Sequence, residues 1–209
     1  MSANAIRTIF WDIGGVLLTN GWDVNQRTRV LSEIGVDLAA YEKVHESVNY
    51  FWERGLMSAQ DFFEKTVIEV NPSLHLSFKE LWKLVCAESK VLYPENFNLL
   101  AALKSSAKYR LATLNNESRE LNRYRVDKFY LHQYFDYFIS SGYVHEMKPL
   151  AGIYRAAVDI SGFAPETALF IDDKQENCDV AAAMGMQTVR FESLAQLQSA
   201  LAKRGVTVS

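Results

Sequence analysis

The sequence predicts an α/β protein: a parallel sheet covered by helices on both faces, interrupted after its first strand by an all-helical block. Three observations predict it. The apolar, β-branched run Ile6 to Phe10 leads into Trp11-Asp12 and a Gly14-Gly15 turn, the pattern of a buried strand that ends at a carboxylate. No strand-like stretch occurs between about residues 20 and 93. From Pro94 onward, short apolar strands alternate with helical segments, the rhythm of a parallel sheet.

The helical block begins once Leu18 is passed. Val24 to Ile34 reads as a helix closed by Gly35, and Leu38 to Arg54 as a second closed by Gly55. Ser58-x-x-Asp61 and Ser77-x-x-Glu80 open a third and a fourth with capping-box signatures. The aromatics Tyr41, Phe51, Trp52, Phe62, Phe63, Phe78 and Trp82 recur at helical spacing and are expected mostly in a core.

The second half opens with a helix from Pro94 to Ser106, proline at its start. Strands are expected at Tyr109–Leu114, Tyr137–Ser140, Ala168–Ile171 and Thr188–Phe191. Between them fall a helical run after Ser118, a helix introduced by Lys148-Pro149 with Ile153, Ala156, Ala157 and Ile160 on one face, and a helix at Glu176–Met184. Ser193 to Lys203 is a last amphipathic helix. The expected division is therefore a core of residues 1–19 and 94–209 and a helical block of residues 20–93.

Composition narrows the function. At 209 residues with 49% apolar content, the chain can bury one sizeable core or a core plus a small second domain. A net charge of −3 provides no basic field for nucleic acid or an anionic membrane. With no 18-residue apolar run and no charged-then-apolar leader, a cytoplasmic protein is expected. Cys86 and Cys178 lack metal spacing and read as reduced thiols, and the four histidines are scattered.

Chemistry collects at the strand ends. If the sheet is parallel, Asp12, Asn115-Asn116, Lys148 and Asp172-Asp173 converge on one edge, where open α/β sheets bind ligands. Asp12, Asp172 and Asp173 supply hard oxygen ligands suited to Mg²⁺. Adjacent acids on a buried strand repel each other without a cation, and Lys148 is a compact charge that can reach a phosphoryl oxygen. Taken singly, Asp172-Asp173 also reads as a helix N-cap pair and Lys148 as a solvated lysine.

Together and in this order the stations resemble the haloacid dehalogenase superfamily of aspartate-nucleophile hydrolases, from about Ile6 to Phe191. The motifs are Phe10-Trp11-Asp12-Ile13-Gly14-Gly15-Val16-Leu17, Leu114-Asn115-Asn116, Lys148-Pro149-Leu150-Ala151-Gly152-Ile153-Tyr154, and Phe170-Ile171-Asp172-Asp173 with Asn177 trailing by four. Any one is weak; all four at this spacing make a specific signal. The resemblance implies a doubly wound, Rossmann-like core, with residues 20–93 as the small helical cap that this family inserts after its first motif. It implies a Mg²⁺-dependent phosphatase of small phosphorylated metabolites, sugar phosphates among them, in which Asp12 forms an aspartyl-phosphate. Asp12, the Gly14 carbonyl, Asp173 and Asp172 would hold Mg²⁺. Lys148 and Asn115 would serve the reaction, and Gly14, Gly15, Asn115, Asn116 and Lys148 would bind the phosphate.

Two departures matter. The phosphatases usually carry a second Asp two residues after the nucleophile, a general acid–base that contributes about 10²–10⁴-fold, and here that residue is Gly14. The usual second-motif hydroxyl is replaced by Asn115. A 2-haloacid dehalogenase-type hydrolase and a non-catalytic fold that binds phosphate or a partner stand as alternatives. Substrate identity and oligomeric state are not encoded in any motif.

Overall fold

A computed structural model describes residues 5–208, so the ends of the expected core at 1–4 and 209 lie outside the described residues. Five parallel strands, β1 (Thr8–Trp11), β2 (Arg110–Asn115), β3 (Tyr137–Ser140), β4 (Ala168–Asp172) and β5 (Gln187–Arg190), pair in the order β3-β2-β1-β4-β5. The first strand lies at the centre, Trp11 paired with Thr113 on one side and Ile171 on the other. The expected strands at 109–114 and 188–191 are displaced by one residue, because sheet register and not local composition decides where pairing stops.

Alternation along the central strands divides the interior. Ile9, Trp11, Leu169 and Ile171 pack on one face with α5 (Pro94–Ser106) and α10 (Leu194–Lys203). Phe10, Ala112 and Phe170 pack on the other with α8 (Ala151–Ser161) and α9 (Gln175–Ala183). Both faces are covered, so β1 and β4 are buried at every residue and read as continuous apolar runs. The sheet is doubly wound, as expected.

Between β1 and α5 run α1 (Val24–Glu33), α2 (Leu38–Glu53), α3 (Ala59–Phe63) and α4 (Phe78–Ala87). Each start is capped by its own side chain: Asp23, Asp37, Ser58 and Ser77 accept first-turn N–H groups. Ser77 and Glu80 form the full capping box. At Ser58 the hydroxyl accepts from the Asp61 N–H and donates to Asp61 Oδ2, with no reciprocal bond to the Ser58 N–H among the described residues. Aspartate is one methylene shorter than glutamate and does not reach back. Past α3, the helix opened at Ser58, the chain continues as a π-helical turn, Glu64–Ile68.

These helices share an apolar cluster distinct from the two sheet faces, built on Trp22, Tyr41, Trp52, Phe62, Phe63, Leu81 and Val85, with Trp52 stacked on Phe62 at 4.2 Å. Phe51, expected with the core aromatics, is 46% exposed, because it lies on the outer face of α2. The block is tied down at the end of α2. Ser141 Oγ, in the short α7 (Ser141–Val144), donates to the Glu53 carbonyl at 2.7 Å. His145 Nδ1 lies 2.6 Å from the Arg54 carbonyl. Gly55 takes a left-handed φ of 66°, and a Cβ there would lie 2.1 Å from the Gly142 carbonyl oxygen.

Candidate active site

Because β1, β2 and β4 run parallel and in register, Asp12, Asn115 and Asp172 reach the same edge. Lys148, in the segment before α8, is only 3% exposed, and its Nζ lies 2.6 Å from Asp172 Oδ2 and 3.0 Å from Asp12 Oδ1. Its backbone is clamped by Asn116, whose Nδ2 donates to the Lys148 carbonyl at 2.7 Å and whose Oδ1 accepts the Lys148 N–H at 2.8 Å. Burial opposes the ammonium, but Asp12 and Asp172 outweigh it and raise the Lys148 pKa. The solvated lysine that was the plain reading of Lys148-Pro149 is thereby corrected.

The two adjacent acids have different surroundings. Asp172 is wholly buried and saturated: Oδ1 accepts from the Lys174 N–H at 2.8 Å and from Asn177 Nδ2, and Oδ2 accepts from Asn177 Nδ2 and Lys148. Asp173 is half-buried, and its Oδ1 has no partner among the described residues. Asp12, Asp172 and Asp173 place carboxylate oxygens within 4.8 Å of one another. Burial pushes the Asp12 carboxyl up to about 7; Lys148 opposes this, while Asp172 and Asp173 add to it. Burial and then Asp172 raise Asp173 too. One ammonium does not neutralise three carboxylates, and the unpartnered Asp173 oxygen is a vacant hard donor, so the set fits a divalent cation such as Mg²⁺.

The two glycines also divide their work. Gly15 has φ 73°, and a Cβ on it would lie 2.3 Å from Asp173 Oδ2, so glycine is needed for that acid to approach. Its N–H donates to the Leu18 carbonyl at 2.8 Å, and Gly15 is not among the residues lining the cavity. The expectation that Gly15 binds phosphate is corrected: turn closure consumes its donor. Gly14 does line the cavity and is not in the left-handed region; a Cβ there would meet Asn20 Oδ1 at 2.7 Å.

A cavity of about 370 Å³ lies over these residues. Asp12, Gly14, Asn115, Asn116 and Lys148 form one wall; Asn20, Asp23, Arg27, Asn49, Trp52 and Glu53, from the helical block and its approach, form the other. Asn115 is on the wall, with Nδ2 donating to Asn122 Oδ1 at 3.0 Å. The Asn116 side chain spends both polar atoms on Lys148, so what it does for a ligand it does by positioning that lysine. Glu117 and Arg125 form a buried pair at 2.6 Å beside the cavity. Burial raises the Glu53 carboxyl, and Asn49, hydrogen-bonded to it, opposes the rise.

Residue reading missed the roles of Asn20, Asn49, Glu53 and the Glu117–Arg125 pair, and left Asn177 without one. A polar residue one helical turn after an acid pair was a usable signal for Asn177. The others carry no local signal, since each lies in an ordinary polar stretch.

A family model described as haloacid dehalogenase-like hydrolase matches residues 6–185. The chain is 25% identical over 188 residues to a protein of Aquifex aeolicus (strain VF5) named phosphoglycolate phosphatase, covering 88% of this chain and 83% of that one. Among solved structures it resembles a HAD family enzyme of Bacteroides thetaiotaomicron in complex with magnesium and inorganic phosphate. That likeness has a TM-score of 0.77 at 22% identity and covers 92% of this chain and 99% of that one. It also resembles L-2-haloacid dehalogenase of Xanthobacter autotrophicus with chloropropionic acid covalently bound, TM-score 0.61 at 19% identity, covering 97% and 84% of the two chains. At these identities the structural likenesses speak to the fold.

Proposed function

This chain belongs to the haloacid dehalogenase-like hydrolases, and from that premise we propose that it is a Mg²⁺-dependent phosphatase of a small phosphorylated metabolite, working through an aspartyl-phosphate on Asp12. One observation carries the reading: Asp12 sits at the centre of the sheet edge, 3.0 Å from a buried lysine and within 4.8 Å of two further acids. A relative named for phosphatase activity and a neighbour that binds magnesium and phosphate support it.

Asp12, Asp173 and the Gly14 carbonyl would hold the ion, and Asp172 would act through Lys148. When bound, Mg²⁺ supplies positive charge that lowers the repulsion between a carboxylate nucleophile and a phosphoryl group. Asp12 attacks phosphorus through a carboxylate oxygen, the bond to the ester oxygen breaks, and an acyl phosphate forms on Asp12. Lys148, held protonated by its two acids, neutralises charge growing on the phosphoryl oxygens. Water then displaces Asp12 from phosphorus and releases phosphate. Residues 20–93 serve as a cap that closes the cavity from above, on the evidence of their separate apolar cluster and the wall they contribute.

Three carboxylates around one ammonium argue against metal-free displacement of halide from carbon, which gains nothing from the excess negative charge. The test is phosphate release from an aryl phosphate with Mg²⁺ titrated from zero, together with acid-quench trapping of phosphoryl-protein. The expected result is a Mg²⁺-dependent rate and a hydroxylamine-labile phosphoryl group that disappears in Asp12→Asn. Halide release from a 2-haloacid without Mg²⁺ would favour the dehalogenase. Folded protein that neither turns over nor becomes labelled would favour a binding role.

A further inference from the structure

We propose that a second anion site lies at the opposite end of the sheet from Asp12, built by Arg7, Lys104 and Arg110, and that it takes an oligophosphate: two or three linked phosphoryl groups, free or as the tail of a nucleotide. Arg7 stands immediately before β1 and Arg110 opens β2, the Arg110 N–H donating to the Arg7 carbonyl at 2.8 Å. The same two segments end at Asp12 and Asn115, a run of strand that spans ~16 Å. A ligand held at the near end therefore does not touch the reacting atoms at the far end.

Arg7, Lys104, Lys108 and Arg110 line a recess of about 500 Å³ whose described lining holds one carboxylate, Asp136. The whole chain carries a net charge of −3, so this concentration of positive charge is local. A concave wall of one sign focuses its field on a ligand of the other. Asp136 does not cancel it, because both its oxygens are engaged. Oδ1 takes Lys104 Nζ at 2.5 Å, and Oδ2 accepts the Leu111 N–H at 2.9 Å. Burial disfavours the Asp136 carboxylate, yet Lys104, the Leu111 N–H and Arg110 hold its pKa below the usual value. The ion pair thus fixes Lys104 at the recess, and an ammonium has three N–H donors, enough to meet an anion as well.

The two arginines are less committed. The Arg7 guanidinium lies over the Phe163 ring, 5.3 Å from its centroid, a contact that orients the fork and leaves its in-plane N–H groups available. Neither Arg7 nor Arg110 has a carboxylate at ion-pair distance among the described residues. Lys108 adds charge while its Nζ donates to Thr207 Oγ1 at 3.0 Å. Planar forks match phosphoryl oxygens bidentately, and two forks beside an ammonium suit linked phosphoryl groups better than one carboxylate. A single phosphate group brings only about 1.5–2 negative charges, fewer than the excess of positive charge on this lining.

The experiment is calorimetric titration of metal-free protein in chelator with tripolyphosphate, ATP and inorganic phosphate. Tripolyphosphate is expected to bind one to one and at least about tenfold more tightly than inorganic phosphate, with ATP no weaker than tripolyphosphate. Arg7→Gln/Arg110→Gln changes two exposed side chains, so it should keep the wild-type melting temperature while weakening both ligands by at least about tenfold. Arg7→Lys/Arg110→Lys keeps the charge but removes the forks and should recover only part of that loss. Unchanged affinity in the folded glutamine variant, or full recovery in the lysine variant, would overturn the inference. So would binding of ATP without tripolyphosphate, which would mean that the base is recognised. Sedimentation with vesicles bearing a bisphosphorylated inositol lipid, without binding of soluble tripolyphosphate, would overturn it in favour of a membrane surface. None of these readouts depends on turnover, so the phosphatase reading stands or falls separately.

Discussion

The two walls of the cavity are built by different means. The wall that carries Asp12, the proposed catalytic wall, is placed by parallel strands in register, and its charged groups are locked by short bonds: Lys148 to Asp172 and Asp12, Asp172 to Asn177 and the Lys174 N–H. The opposite wall is placed by helix caps, aromatic packing and an anchor of backbone carbonyls to α7. A sheet edge tolerates little displacement, because one residue of slip turns every side chain to the other face. A helical insert can change side chains on one face without disturbing that register. Reaction chemistry on the first wall and substrate choice on the second is the division this difference favours.

The largest effect belongs to Asp12, the proposed nucleophile. Asp12→Asn keeps the shape of the side chain and its neighbours, so the protein should fold while kcat falls by at least about 10³-fold. Retention of more than a few per cent of the wild-type rate would show that the catalytic wall is organised around another atom.

The adjacent acids come next, because they should fail in different ways. Asp172→Ala strips partners from a buried lysine and from Asn177, and breaking a buried ion pair costs about 3–5 kcal/mol. Its metal-free melting temperature should fall steeply. Asp173→Ala removes a carboxylate with an unpartnered oxygen and should leave the metal-free melting temperature nearly unchanged. It should instead abolish most of the rise in melting temperature that Mg²⁺ produces, since a ligand specific to the folded state stabilises by mass action. The reverse pattern would reassign the two acids.

Gly14 sharpens the comparison further. With no acid there, turnover should depend steeply on leaving-group pKa, aryl and acyl phosphates being much faster than alkyl ones. The left-handed backbone is at Gly15, and in Gly14→Asp the closest approach of the new Cβ is to Asn20 Oδ1, the end of a side chain that can shift, with the Asn20 Cα at an ordinary 3.5 Å. This variant should flatten the leaving-group dependence and accelerate alkyl phosphates by part of the ~10²–10⁴ acid–base factor. A shallow dependence in wild type, with chemistry rate-limiting, would mean that another group supplies the proton.

The smallest expected effect is on pH, and here the two regions differ in sign. Asp12 is raised from 3.8 to about 7 in the metal-free fold, so the native state binds more protons and stability falls as pH rises through that window. His45, buried in the helical block with Arg27 and Glu42 facing it, is lowered from 6.5 to about 4, chiefly by burial. Its native state binds fewer protons, so stability falls as pH drops from 6.5 to 4. Chemical denaturation across this range should show Asp12→Asn flattening the neutral side and His45→Gln the acid side. Mg²⁺ should act only on the first.

Asp12, Lys148 and the acid pair were legible because each stands at a strand end or helix start, and local apolar periodicity marks such places without knowledge of the whole fold. The helices of the block were legible from their ends for the same reason: Gly35 and Gly55 close the first two, and Ser58 and Ser77 bond within three residues of themselves, whereas the Asp23 and Asp37 caps emerge only in the structure. Other distinctions rest on contacts between residues far apart in sequence. Asp172 and Asp173 are the same residue type side by side, yet the 172 side chain meets Lys148 while the 173 side chain fills the space opened by Gly15. Gly14 and Gly15 look interchangeable until the Leu18 carbonyl takes one N–H and the cavity borders the other residue. Glu53 resembles any acid at the end of an amphipathic helix; it lines a cavity because the hydroxyl of Ser141, 88 residues away, holds the carbonyl beside it. Local sequence determines where the chain turns and where a charged group can be tolerated. Which charges meet is decided only when distant segments pack, since partners in a buried network are chosen by proximity in space and a lone side chain carries no record of its neighbour.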